Sequence, residues 1–105
     1  MSLTKDFKRT IRERAQRDET FRQAMLIEAV NALLADEVNL AKSLLKDYIN
    51  ATIAFEPLAT RVSKNSKSLQ RMLSPTGNPT ANALFCILHA LQEAEGIQLK
   101  VRVSH

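Results

Sequence analysis

The sequence predicts one small, mainly α-helical domain of five to six helices. Its 105 residues are enough for a single hydrophobic core, and only two glycines and three prolines are available for turns. An all-β sandwich or barrel needs a turn about every 8–12 residues, so this composition excludes that class. Apolar residues instead recur at the three- and four-residue spacing of amphipathic helices.

Six helical segments follow from this spacing, at 5–17, 21–35, 37–53, 57–62, 66–73 and 81–95. The first is polar almost all round and is the most weakly held. Pro57 fits the first turn of the fourth helix, and Gly96 is the expected C-cap of the sixth. The side chains suited to cap the N-termini are Asp18 or Thr20, Asp36, Asn65 or Ser63, and Thr80.

A β-strand is predicted at the C-terminus, where apolar residues alternate strictly at Ile97, Leu99, Val101 and Val103. The rest of the sequence offers no sheet for this strand to join. Its backbone groups need partners, so we expect it to pair with the same strand of a second copy across a two-fold axis. The alternative is a tail that docks on its own domain without pairing.

Few residues suit catalysis or metal binding. A single cysteine and two histidines exclude an internal disulfide framework and a zinc site built on several thiolates. No nucleophile–base set and no glycine-rich phosphate loop are present, so an enzyme is the least favoured class and no cofactor is expected. Cys86 is interpreted as a small buried hydrophobic residue and His89 as a solvated one. No secretory or membrane-spanning segment is visible, which favours a cytoplasmic protein without membrane contact.

The positive charge is concentrated in two segments. The net charge is +4, and residues 61–71 hold four basic residues without an acid. Such a stretch is typical of a phosphate-binding element, although from charge alone a solvated helix face is the simpler reading. Residues 1–22 hold seven basic and four acidic residues. They form a basic N-terminal helix or arm whose role stays open between a solvated helix, a non-specific DNA contact and a surface for a protein partner.

The helices at 57–62 and 66–73 are joined by a three-residue turn, as in a helix-turn-helix unit. The second helix has a polar, basic outer face. Arg71 and Lys67 can donate to guanine O6 and N7, and Gln70 can bond adenine bidentately. Ser66 and Ser68 are short donors for phosphates or base edges. Residues 23–105 are therefore predicted to be a DNA-binding domain with a C-terminal dimerisation strand.

The C-terminal half, from FEPLATRVSKNSKSLQRMLSPTGNPT to ILHALQEAEGIQLKV, resembles the antidote (antitoxin) proteins of addiction modules. These are small helix-turn-helix regulators of the lambda-repressor (Cro-like) superfamily, often encoded in prophages. The similarity is carried by Leu58-Ala59, Ser68-Leu69, Arg71, Leu73-Ser74, Gly77-Asn78-Pro79-Thr80, Leu84, Ile87-Leu88, Ala90-Leu91 and Gly96. The LS-x-x-GNPT element is its most specific part.

The resemblance implies a bacterial autorepressor that binds its operator, double-stranded DNA, as a homodimer. It also implies a second partner, a RelE-like toxin encoded beside it. Asn78 is interpreted first as a turn former, and in this family it is also able to contact phosphate. The predicted DNA-binding set is Lys64, Asn65, Ser66, Lys67, Ser68, Gln70, Arg71, Thr76 and Asn78.

Three positions depart from the family pattern. Ser63 stands where the family usually has glycine in the turn, and Lys64 follows where an apolar residue is usual. Either the turn is remodelled or the Lys64 side chain extends outward with its stem on the core. Ala54 stands where the family usually has glycine, just before the first helix of the helix-turn-helix unit, and this is interpreted as a minor change. These departures motivate an alternative function, an orphan prophage-type regulator or a protein-interaction module with weakened operator recognition.

Overall fold

A computed structural model describes residues 5–105, which form a helical domain. None of the helices in this range combines the length and the apolar character needed to cross a membrane. The mainly helical class predicted from apolar spacing is confirmed. The helices are α1 Lys5–Arg17, α2 Glu19–Leu34, α3 Val38–Ala51, α4 Phe55–Arg61, α5 Ser66–Met72 and α6 Ala81–Glu95.

All six helices pack around one core. Helix α2 lies against α3, α1 contacts both, and α4 packs against α5 and α6. Each helix contributes side chains from the face that its apolar spacing marks. The largest fully buried side chains are Tyr48, Leu26, Leu45, Ile49, Leu58, Leu69, Leu73, Ile87 and Leu91.

Side-chain caps fix three helix N-termini where the sequence predicts them. The Asp18 carboxylate accepts a hydrogen bond from the Phe21 amide at 3.0 Å, and the Thr80 hydroxyl accepts one from Ala83 at 3.1 Å. Asn65 caps α5 in the same way. Each cap pairs an amide that the first helical turn leaves without a partner. At the C-terminus of α6, Gly96 takes the left-handed conformation, with φ 75°, that ends the helix.

Asp36 does not cap α3, contrary to the prediction. It is left-handed, with φ 61°, and the next amide, Glu37 N, donates to the Ala32 carbonyl at 2.8 Å. This pattern terminates α2 in a Schellman motif. A short polar side chain tolerates the left-handed region better than most, so Asp36 serves the helix before it. Helix α3 begins without a side-chain cap.

The predicted C-terminal strand is not formed within residues 5–105, which contain no β-strand. Because no other extended segment of the described chain offers a free edge, the tail docks on the domain instead. Ile97 and Leu99 pack against the core, and the Leu99 amide donates to Gln92 Oε1 at 2.8 Å. Val101 and Val103 are 80% and 76% exposed.

Helix α6 also corrects the interpretation of Cys86. The thiol is exposed, since it lies on the solvent side with Phe85, whereas Ala83 and Ala90 face the core. The exposed His89 agrees with the prediction, and its ring lies 3.4 Å from Glu93.

Candidate nucleic-acid interface

Helices α4 and α5 pack against each other and are joined by a short turn, and they are the pair that the sequence predicts to be a helix-turn-helix unit. Phe55, Leu58 and Ala59 bury one side of α4, while Leu69 and the following Leu73 anchor α5. Because these apolar residues occupy one side of each short helix, the remaining side of α5 is left facing solvent. The unit therefore presents its second helix as an exposed polar surface.

The turn between the two helices keeps the expected geometry despite its unusual residues. Ser63 is left-handed, with φ 54°, and its amide donates to the Thr60 carbonyl at 3.3 Å. The Lys64 amide donates to the Ala59 carbonyl at 3.0 Å, which completes a Schellman motif. The turn is thus not remodelled. The Lys64 side chain is exposed, as the second interpretation requires.

The entry into α4 is the most unusual backbone of this unit. Ala54 has φ 71° and ψ 160°, a region that is populated almost only by glycine. Its amide donates to the Ile49 carbonyl at 2.8 Å, and its carbonyl accepts from Leu58 at 3.3 Å. The first bond joins Ala54 to the end of α3, and the second begins the hydrogen bonding of α4. The interpretation of Ala54 as a minor departure is therefore wrong, because a residue with a Cβ is strained in this conformation.

The solvent side of α5 is positively charged and not neutralised. Lys67 and Arg71 are exposed, and Lys64 extends the same charge toward the turn. Among residues 5–105, no carboxylate forms an ion pair with any of these three. Gln70 is also exposed, and its amide nitrogen lies 3.3 Å from the Ser66 hydroxyl, which orients it on the helix surface.

Asn65 contributes to the surface mainly through the fold. Its Oδ1 accepts hydrogen bonds from the amides of Lys67 at 2.8 Å and Ser68 at 3.4 Å. This oxygen is therefore occupied by the helix. The side-chain amide nitrogen is the part of Asn65 that stays available for an outside partner.

The loop after α5 brings two more of the predicted residues to the same surface. Thr76 and Asn78 are exposed, and with Ser68 and Arg71 they line an open groove of about 360 Å³. The Ser74 hydroxyl donates to the Arg71 carbonyl at 2.7 Å, which fixes where the loop leaves the helix. The groove joins the C-terminal half of α5 to the loop, and Lys64 is not among the residues that line it.

Two residues support this loop: Gly77, which the sequence analysis names only within the GNPT element, and Lys42, which it does not name. A side chain at Gly77 would place its Cβ 2.1 Å from the Arg71 carbonyl oxygen, so the loop approaches α5 more closely than another residue allows. Behind the loop, the buried Lys42 donates to the Gly77 carbonyl at 2.7 Å. The helical spacing of Lys42 with Leu45 and Ile49 was a signal that a lysine lies on the core face.

A second polar cluster, also missed, lies away from this surface. Glu95 accepts two hydrogen bonds from Arg22 Nε, at 2.8 and 3.1 Å, and one from the Tyr48 hydroxyl at 2.6 Å. Burial and the bond to Glu95 raise the pKa of Tyr48, and the same carboxylate raises the pKa of Arg22. The three groups also line a cavity of about 570 Å³ with Arg61. They join α2, α3 and α6, so we interpret them as a structural cluster.

The chain has no significant match among protein-family models, curated proteins or solved structures.

Proposed function

We propose that the chain is a bacterial transcriptional regulator that binds double-stranded DNA through α5. The observation that carries the proposal is a set of exposed, unneutralised basic residues in a helix-turn-helix unit: Lys67 and Arg71 on the second helix, and Lys64 in the turn before it. In this arrangement the second helix enters the major groove. A basic surface also gains free energy from the release of counterions that are condensed on the phosphates.

The residues divide by the chemistry that each offers. Arg71 and Lys67 donate to guanine O6 and N7, and Gln70 forms two hydrogen bonds with an adenine edge. Thr76 and Asn78 lie beside Arg71 on the groove rim, where their uncharged donors suit the phosphate backbone. Such contacts fix the register of the helix on the duplex without reading its sequence.

The regulator is proposed to act as a homodimer in which the C-terminal tails meet. Val101 is 80% exposed beside two further exposed apolar residues, Leu34 at 67% and Phe85 at 68%. Val103, 76% exposed, extends the same alternation. Antiparallel pairing of the two tails would supply the missing strand partner and cover this apolar surface. Two copies would also present two α5 helices to successive major grooves, about 34 Å apart.

The biological role follows from the resemblance of the C-terminal half to addiction-module antidotes. On that basis the chain represses its own operon and neutralises a RelE-like toxin encoded beside it. A small basic reading frame of that type next to the gene would support this role. Without such a neighbour, the role of an orphan prophage-type regulator is favoured.

The DNA proposal is tested by fluorescence anisotropy with labelled DNA from upstream of the gene and with a shuffled duplex. We expect salt-dependent binding that prefers the upstream DNA. Arg71→Ala should lose about 1–3 kcal/mol of that preference if it reads a base. Lys46→Ala removes a charge from an exposed residue of α3, outside both the helix-turn-helix unit and the tail, and serves as the control. Absence of salt-sensitive binding would refute the DNA-binding role.

A protein-interaction module of the same fold is the second candidate. The exposed apolar surface around Phe85 and Leu34 favours it. This candidate predicts tight binding to a protein partner with weak affinity for every DNA sequence. The same titration therefore separates the two functions, because the module shows no difference between upstream and shuffled DNA.

A further inference from the structure

Lys42 is a buried lysine, with 3% of its surface exposed. It lies in α3, outside the helix-turn-helix unit. Its Nζ donates to the Gly77 carbonyl at 2.7 Å and to the Pro75 carbonyl at 3.4 Å. A buried ammonium is costly unless it is hydrogen-bonded. The two carbonyls therefore stabilise the buried charge, and the ammonium in turn fixes the position of the loop backbone.

The same loop is held from its other side by α5. The Gly77 amide donates to the Ser74 carbonyl at 3.0 Å, and Ser74 in turn bonds the Arg71 carbonyl through its amide at 3.1 Å. A Cβ at Gly77 would lie 2.1 Å from that carbonyl oxygen and 2.5 Å from the one of Met72. The loop is therefore clamped between the last turn of α5 and the ammonium of Lys42.

We propose that Lys42 is a positioning residue of the nucleic-acid interface. It fixes the loop over residues 74–78 so that Thr76 and Asn78 stand beside Arg71 in the groove. The effect on DNA binding rests on the proposed function. The fixing of the loop rests only on the contacts of Lys42. With 3% exposure, Lys42 acts on DNA through the loop and not as a phosphate ligand of its own.

The test compares Lys42→Met with Lys46→Met. Methionine keeps the length and apolar stem of lysine but removes the donors. Lys46 is exposed one turn further along the same helix, so its replacement matches the loss of charge without touching the loop. Backbone ¹⁵N relaxation of both variants gives the order of Gly77 and Asn78. Anisotropy titrations with upstream DNA at several salt concentrations give affinity and salt slope.

We expect the order parameters of Gly77 and Asn78 to fall toward those of a flexible loop, below about 0.6, in Lys42→Met only. DNA affinity should fall about tenfold, as for the loss of two uncharged hydrogen bonds. The salt slope should stay unchanged, because those contacts release no counterions. A slope smaller by about one would instead show that Lys42 contacts a phosphate directly, which overturns the positioning role.

Unchanged order parameters in Lys42→Met would also overturn the proposal, whatever the DNA result. If the wild-type protein binds no DNA while Lys42→Met loosens the loop, the proposed function fails and the clamp stands.

A measurement on the wild-type protein covers the case in which Lys42→Met does not fold. The Lys42 ammonium protons should exchange slowly enough to give a resolved ¹H–¹⁵N signal, unlike those of Lys46. Exchange as fast as that of Lys46 would refute the clamp.

Discussion

Replacing Ala54 with glycine is expected to stabilise the protein, although it shortens a side chain. The backbone there has φ 71° and ψ 160°, and strain in this region costs about 1–3 kcal/mol for a residue with a Cβ. Glycine removes that strain but adds about 0.5–1 kcal/mol of unfolded-state entropy. Because Ala54 is exposed, no packing is lost. The net gain should be about 1 kcal/mol.

Ala24→Gly provides the control. Ala24 is also exposed, but it lies inside α2, where glycine costs about 1 kcal/mol relative to alanine. Urea unfolding followed by far-ultraviolet circular dichroism gives both free energies of unfolding. The two identical chemical changes should therefore move stability in opposite directions, and Ala54→Gly should raise Tm by about 4–8 °C.

Equal destabilisation by the two variants would refute the reasoning, since it would mean that Ala54 adopts an ordinary backbone conformation. The angle at which α4 leaves α3 would then not depend on this residue.

Three further predictions concern other parts of the chain. Gly77→Ala should cost about 1–3 kcal/mol in urea unfolding, because its Cβ would overlap the end of α5. The pKa of Tyr48 is raised in the folded state from an ordinary value of 10.0. The stability that its protonated form supplies is therefore complete below pH 10 and is lost at higher pH. Tyr48→Phe should flatten this alkaline decline, measured as the urea midpoint against pH. Val101→Asp should make the protein monomeric in light scattering if the tails form the dimer contact, whereas a dimer that survives this variant would place the interface elsewhere.

Much of the helical fold is predictable because its determinants are local. Asn65, Thr80 and Gly96 occupy the helix ends that their side chains or backbone freedom predict. These signals need only the residues within one helical turn, so a sequence contains all of the required information.

Other features depend on residues that are distant in the sequence. Asp36 suits either the end of α2 or the start of α3, and only the packing of the two helices decides that it ends α2. Cys86 is exposed because the core contacts the other faces of α6. The alternation from Ile97 to Val103 predicts a strand that pairs with a second copy, but Ile97 and Leu99 pack against their own domain. It does not produce a strand, since strand formation needs a second edge.

The candidate site shows the same division. Periodicity is sufficient to place Lys67, Gln70 and Arg71 on the outer face of α5. The support for the loop comes from Lys42, more than thirty residues earlier, through bonds to backbone carbonyls. Every residue has a backbone carbonyl, so the sequence does not mark which carbonyls accept from Lys42. The contact between Lys42 and the loop could therefore not be predicted.

The central claim, that α5 and the loop after it contact DNA, is tested most directly by NMR. ¹H–¹⁵N spectra of the labelled protein are recorded while DNA from upstream of the gene is added. The account predicts that the largest shift changes map to residues 64–71 and 76–78. Changes that concentrate in α1, or that leave residues 64–71 unaffected, would contradict it.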